Sequence, residues 1–282
     1  MDIDFLKTWI GNSEQHRDTI AHQKVAALAA TLNQVAPLDG APLPSLWHWM
    51  YFWSIAAQAE LGEDGHPKRG GFLPPVPLPR RMWAGGRLRF EAVLPIGCEA
   101  TRTSRIVSVE AKNGKSGSLA FVTVEHSIAA AGAVAIIEEH DIVYRDLPAV
   151  GAVAPSPPVA PHDALWSKVI TPSPVLLFRY SALTFNGHRI HYDRSYVTDV
   201  EGYPGLIVHG PLIATLLVGL LFEKMPEVQL ESFSFKAVSP LFDIDQFTVC
   251  GQPSDDGTTI DLWAKNSQGA LAMRAQAVIK NN

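Results

Sequence analysis

The chain has 282 residues, 47% of them hydrophobic and 18% charged, with a formal net charge of −5. At about 150 residues per domain this suggests two globular domains with a substantial core. The acidic balance gives no reason to expect a nucleic acid partner. Cys98 and Cys250 are far apart, belong to no metal spacing, and read as buried thiols of a reducing compartment.

The N-terminal stretch MDIDFLKTWIGNSEQHRD lacks the basic start and apolar run of a signal peptide. Asp18 to Leu32 places Ile20, Val25, Leu28 and Leu32 at helical intervals, which predicts a helix. The tryptophan-rich segment PLPSLWHWMYFWSIAAQAELG is a candidate second helix. The prolines of GHPKRGGFLPPVPLPRRMW then forbid a helix or a central strand. The apolar residues among them argue for an ordered loop or extended arm.

From Arg87 the pattern turns to strands: RLRFEAVLPI, RTSRIVSVEAK, LAFVTVEHSIA and VAIIEEHDIVYR. KNGKSG joins the second and third of these as a hairpin turn. GAVAPSPPVAP, residues 151–161, reads as a linker. It divides the chain into units 1–150 and 162–282. The second unit opens with VLLFRYSAL, an apolar strand candidate. A helix follows over Pro211–Lys224, apolar on nearly every face and therefore buried. LESFSFKAV, QFTVCGQ, TIDLWAK and ALAMRAQAVI read as further strands. The apolar run GPLIATLLVGLLF is well short of the roughly 18 residues a membrane span needs, so a cytoplasmic protein is expected. VEAKNGKSGSLAFVTV and LWAKNSQGALAMRAQAV share an Ala-Lys-Asn strand end, a glycine turn and a returning Leu-Ala strand. The pair points to a duplicated unit of a helix plus an antiparallel sheet, an α+β fold.

FNGHRIHYD, residues 185–193, and VHGPL, residues 208–212, concentrate the chemistry. His188 and His191 could share one side of a helix, as zinc ligands do. Arg189 between them and the lack of a third spaced ligand argue against a metal, and none is expected. No Ser or Cys sits in a nucleophile elbow. General acid/base chemistry needs a histidine near its reference pKa of about 6.5 beside a polar partner, and donors for a developing oxyanion. Gly210 and Pro211 follow His209 and open the buried helix, so the Gly210 N–H lies free at a positive helix end. Tyr180, Asn186 and Tyr192 can position water or substrate. The competing reading is that the histidines only pack around the helix entrance.

The run RYSALTFNGHRIHYDRSYVTDVEGYPGLIVHGPL resembles the double-hotdog, MaoC-like hydratases and dehydratases. The likeness is greatest to the group that holds hydroxyacyl-thioester dehydratase type 2 and the mesaconyl-C4-CoA and itaconyl-CoA hydratases. LWHWMYF, DGHPKRGGFLPPVPLPRRMWAGGRL, GKSGSLAFVTVEH, DIVYR and FSFKAVSPLF extend the resemblance over most of the chain. It implies a double hotdog, two units each with a helix wrapped by a curved antiparallel sheet. The C-terminal unit is then catalytic and the N-terminal one shapes the acyl pocket.

In MaoC-type hydratases an aspartate and a histidine five positions apart activate water. Here His191 holds the histidine position and Asn186 the aspartate position, so the acid of the pair is missing. What the resemblance implies is His191 as the proton carrier, Asn186 orienting water and Gly210 N–H polarising the thioester carbonyl. Asp193 either supplies the missing carboxylate or caps the local turn. His188, Tyr192 and His209 face the substrate. Arg80, Arg81 and Arg189 are candidates for pairing with a free substrate carboxylate or CoA phosphates. The substrate expected is an acyl-CoA thioester, with no cofactor, and the protein is expected to be a homodimer. Hydration of itaconyl-CoA or mesaconyl-C4-CoA to citramalyl-CoA is the first reading. A 3-hydroxyacyl-thioester dehydratase and a non-catalytic acyl-thioester binder are the alternatives.

Overall fold

The computed structural model describes residues 1–114, 117–146 and 156–280. A short helix α1 (Ile3–Lys7) leads into strand β1 (Ser13–Thr19), helix α2 (His22–Thr31) and strands β2 (Arg80–Phe90), β3 (Glu99–Gly114), β4 (Gly117–Ala130) and β5 (Ala133–Arg145). The second half contains β6 (Trp166–Ile170), α3 (Pro174–Thr184), α4 (Gly210–Lys224), β7 (Gln229–Ala237), β8 (Phe247–Pro253), β9 (Thr259–Asn266) and β10 (Leu271–Lys280).

The strands form one antiparallel sheet in the order β1-β3-β4-β5-β2-β7-β10-β9-β8-β6. The order β1-β3-β4-β5-β2 recurs as β6-β8-β9-β10-β7, so the two halves have one topology. They join edge to edge where Gly85–Arg89 of β2 pair with Lys236–Ser232 of β7. The strand's two neighbours explain the Gly-Gly pair in β2. A Cβ at Gly85 would lie 2.5 Å from Phe235 O of β7, and one at Gly86 2.8 Å from Glu139 O of β5. Neither backbone oxygen can yield without breaking the ladder.

The duplication is therefore real in topology, but the Ala-Lys-Asn echo does not mark it. The echo compares the β3–β4 hairpin with the β9–β10 hairpin, whereas the counterpart of β3–β4 is β8–β9. Similar turn chemistry produced similar residues at non-equivalent places. Residues 115 and 116 of KNGKSG, and 151–155 of the linker, lie outside the described residues. Within 156–161 the one ladder contact is the bridge from Val159 to Ala270.

One continuous core runs through both halves and includes Leu28 of α2, Ile128 of β4, Leu217 of α4 and Phe233 of β7. Helix α4 buries Leu212, Ile213, Ala214, Thr215, Leu217, Val218, Leu220 and Leu221, as its all-round apolar pattern requires. Each large side chain so removed from water contributes about 1.5–3 kcal/mol. Leu217 is fully buried, and truncating it to alanine should cost about 2–5 kcal/mol.

Several expectations are corrected. The helix foreseen from Asp18 begins at His22, because Ser13–Thr19 pairs instead with β3 as an edge strand. The tryptophan-rich segment forms only two short 3-10 turns, Trp47–Met50 and Gln58–Glu60. Leu46 (φ 70°) and Phe52 (φ 58°) take left-handed backbone and break any longer helix. VLLFRYSAL is helix α3, not a strand. Ser173 Oγ accepts from Leu176 N at 3.2 Å, Pro174 fills the first turn, and Leu177, Tyr180 and Ser181 form its buried stripe. The proline-rich segment has no helix and no ladder strand before Arg80; Arg69 donates to Val76 O at 2.8 Å and to Leu78 O across it. Both cysteines are free, but Cys98 is half-buried and only Cys250 is buried. Among the described residues, no helix is long and apolar enough to cross a membrane.

Candidate active site

The histidine segment leaves α3 at Phe185, a left-handed C-cap, and turns through a 3-10 turn at Arg189–His191. His191 is buried there. Its Nδ1 donates to Ile207 O at 2.7 Å, and Ile207 N donates to Ile190 O at 3.0 Å. A carbonyl can only accept, so Nδ1 carries the proton and Nε2 presents a lone pair. The residues around Ile207 are themselves fixed: Val208 N donates to Leu241 O, and the buried carboxylate of Asp243 accepts from Leu206 N at 2.8 Å. Burial pushes the His191 pKa down to about 4, the carbonyl of Ile207 opposing this only in part. His191 is thus a neutral base near pH 7.

His209 caps α4 and stacks on His191, ring centroids 3.7 Å apart and 19° between planes. Its Nε2 lies 2.8 Å from Ser181 Oγ, and its Nδ1 is buried without a partner. Burial, then the neighbouring His191 and His188, hold its pKa well below the usual histidine range. Tyr180 packs at 5.0 Å from the same ring. Gly210 is the first residue of α4, with Pro211 after it, so its N–H has no intrahelical acceptor and faces out at the positive helix end. A Cβ built at Gly210 would touch only Met273 Cε, at 3.9 Å. The protein leaves that space open.

The other expected residues are distributed unequally. Asn186 Oδ1 accepts from His188 N at 3.0 Å, closing an Asx turn that sets the loop. Asp193 accepts from Arg189 Nε (3.0 Å) and Nη2 (2.8 Å), from Ser195 Oγ and from Tyr196 N. Those bonds, first of all from Arg189, hold its pKa at about 2, so it caps a turn and does not exchange protons. Arg189 is tied to Asp193 and to Glu63 O. Arg80 pairs with Glu201 at 3.1 Å and donates to its backbone. Both guanidiniums are therefore already engaged. Arg81 forms no ion pair among the described residues, and its charge acts on His66, His188 and Tyr144. Tyr192 is exposed and donates to Gly187 O at 2.9 Å.

Sequence reasoning missed the residues that the proline-rich arm brings in. Gly65 and Gly187 lie back to back: a Cβ at Gly65 would sit 2.0 Å from Gly187 O, and Gly65 has φ +86°. Arg189 N donates to Asp64 O at 2.9 Å. The loop so docked packs His66 against His188, centroids 4.1 Å apart and planes tilted by 45°, while His66 Nδ1 lies 3.0 Å from Asp64 Oδ2. Burial pushes His188 down to about 2, helped by His66 and His191. Asp64, His66 and His188 bring one ligand-type atom each within 4.8 Å of one another. Arg69 and Arg81 act on the same group, and cations beside a dication are unfavourable.

A second polar cluster is buried in the first half. Glu138 accepts from His48 Nε2 (3.1 Å) and Trp49 Nε1 (2.9 Å), and His140 Nε2 lies 3.2 Å from its other oxygen. Burial alone would raise this carboxyl, but His140 and His48 outweigh it and hold its pKa well below the usual range.

The repeated helix-and-sheet unit, with a neutral buried histidine beside an open helix N-terminus, defines a double-hotdog hydro-lyase. A MaoC-like dehydratase from Phytophthora capsici has the same fold (TM-score 0.70, 12% identity, 100% of both chains). So does a Mycobacterium tuberculosis protein described as having a double hotdog fold (TM-score 0.58, 14% identity, 96% of both chains). The family model for hydroxyacyl-thioester dehydratase type 2 matches residues 46–243, and the chain belongs to that family. It is 49% identical, over 95% of both chains, to the mesaconyl-C(4)-CoA hydratase of Chloroflexus aurantiacus.

Proposed function

We propose that the protein hydrates a short branched dicarboxylic enoyl-CoA, mesaconyl-C4-CoA or itaconyl-CoA, reversibly giving citramalyl-CoA. The observation that carries the chemistry is the His191 imidazole, buried, neutral and locked with Nε2 free by the Nδ1–H bond to Ile207. The substrate follows from the near full-length similarity to a hydratase of that thioester. Nε2 takes a proton from water as the water oxygen bonds to the β-carbon of mesaconyl-C4-CoA. The double-bond electrons move toward the thioester, and the carbonyl oxygen becomes an enolate held by the Gly210 N–H. The imidazolium then returns its proton to the α-carbon. Water is added in full and nothing is oxidised or reduced, so the addition needs no redox cofactor.

Asn186 builds the turn from which His188 and Tyr192 face the substrate, and His209 backs His191. Arg81 is the cation for the free carboxylate, since Arg80 and Arg189 are already paired. The N-terminal unit, residues 1–150, shapes the acyl pocket. Residues 151–161 link it to the catalytic unit, 162–282. The enzyme is a cytoplasmic homodimer, which light scattering tests.

Assay of the purified protein on both thioesters decides the substrate. Turnover confined to long-chain 3-hydroxyacyl thioesters would overturn it in favour of the dehydratase reading, which the family match favours.

A further inference from the structure

Asn186 keeps its place in the loop but cannot hold a negative charge. Yet the site contains an ionised carboxylate from the other end of the chain. Asp64 receives two hydrogen bonds from His66, Nδ1 to Oδ2 at 3.0 Å and the backbone N to Oδ1 at 3.0 Å. These bonds fix the His66 ring and put its proton on Nδ1, leaving Nε2 as an acceptor. His66 lies against His188, and His188 lies edge to face with His191, centroids 5.5 Å apart. Asp64, His66, His188 and His191 therefore form a continuous file from the N-terminal arm to the proposed base.

The arm is held there by more than contact. Arg189, between the two histidines, donates its N–H to Asp64 O and its Nη1 to Glu63 O. Gly65 and Gly187 approach so closely that neither tolerates a side chain: a Cβ at Gly187 would meet Gly65 O at 2.8 Å. Such close docking fixes where Asp64 and His66 lie relative to His188.

We infer that Asp64 and His66 are positioning residues that hold His188 beside the reacting water, a task added from the N-terminal arm where Asn186 lacks a carboxylate. Resting on the hydration chemistry proposed above, the water lies between His191 Nε2 and a ring nitrogen of His188. His66 packs its ring against His188, centroids 4.1 Å apart, and so sets where the His188 ring stands beside the water. Asp64 holds the His66 ring through its two hydrogen bonds, as a carboxylate orients a histidine base. The water gives one proton to His191 and bonds through oxygen to the β-carbon. That proton passes to the α-carbon, and the His188 file is unchanged at the end. The catalytic site then spans both hotdog units.

The test compares wild type with Asp64→Asn, Asp64→Ala and His66→Gln on whichever thioester the wild type turns over. The expected result is a loss of about 10²–10³ in kcat with KM changed less than threefold, since the pair acts on the reacting water and not on thioester binding. Formate added to Asp64→Ala should restore part of the rate, which a purely structural aspartate would not permit. If Asp64→Asn fails to fold, His66→Gln gives the same reading. Wild-type kcat in a folded variant, or a loss confined to KM, overturns the inference and leaves the hydratase reading standing. A wild-type protein inactive on every thioester overturns both.

Discussion

The imidazoles of His191 and His209 stack with centroids 3.7 Å apart, and each is held from its outer side, His191 by Ile207 O and His209 by Ser181 Oγ. Two protonated rings at that separation would repel strongly in a buried site, so the stack is stable only while both are neutral. His66, His126 and His188 are likewise depressed by burial. In the unfolded chain each takes a proton near pH 6.5, whereas His191 in the folded chain takes one only near pH 4. The unfolded state therefore binds more protons as pH falls below 6.5. Stability should be fully present above that pH and decline from 6.5 down to about 4 for His191, by up to about 1.4 kcal/mol per unit for each such histidine. Thermal melts across pH 5 to 8 measure this; a melting temperature flat over that range would contradict the neutral stack.

The same depression sets the activity profile. The base form of His191 is needed, and it persists down to about pH 4. The acid limb of kcat/KM should lie near pH 4, well below the 6.5 of an ordinary histidine. His191→Ala should lose about 10²–10⁴-fold in kcat while still binding the thioester. Initial rates taken at each pH together with a circular dichroism reading of the folded fraction separate the two effects. An acid limb at 6.5 would mean a different proton carrier.

Gly210 offers a sharper test of the oxyanion site. An added Cβ meets only Met273 Cε at 3.9 Å, and alanine is a better helix former than glycine. Gly210→Ala should therefore fold with unchanged or slightly raised stability. If the thioester oxygen occupies the open space above its N–H, the same methyl should cost on the order of 10²-fold or more in kcat. Equal activity in a folded Gly210→Ala protein would remove the N–H from the mechanism.

How much of this was legible in the sequence differs by element. The inner strands and α4 could be read because their apolar patterns are clear and their neighbours in sequence are largely their neighbours in space, whereas the edge strands β1 and β6, mostly exposed, carry no such pattern and were not foreseen. VLLFRYSAL fits either strand or helix by periodicity, and the deciding signal was the Ser173-Pro174 start upstream. His191, His209 and Gly210 were legible because one loop and one helix start bring them together. Asp64 and His66 were not, because the docking that matters to them joins loops distant in the chain. One trace existed: Asp64-Gly65-His66 and Asn186-Gly187-His188 are the same three-residue pattern, and the two glycines are the ones that touch. The Glu138 cluster left no local signal, since its partners His48 and Trp49 come from a turn far upstream.

That cluster gives a test of stability rather than chemistry. Glu138 is 2% exposed and is the shared acceptor for His48 and Trp49. Glu138→Ala removes both acceptor oxygens and leaves two buried donors without partners, in addition to a void. Breaking a buried charged group of this kind costs about 3–5 kcal/mol. Glu138→Gln keeps one oxygen toward His48 and Trp49, but turns an amide toward His140, where a carboxylate oxygen lies 3.2 Å from Nε2. It should cost clearly less than alanine. Urea titrations should show lower midpoints at unchanged slope, ordered wild type, glutamine, alanine. If glutamine were as damaging as alanine, the negative charge and not the acceptor geometry would be what the cluster requires.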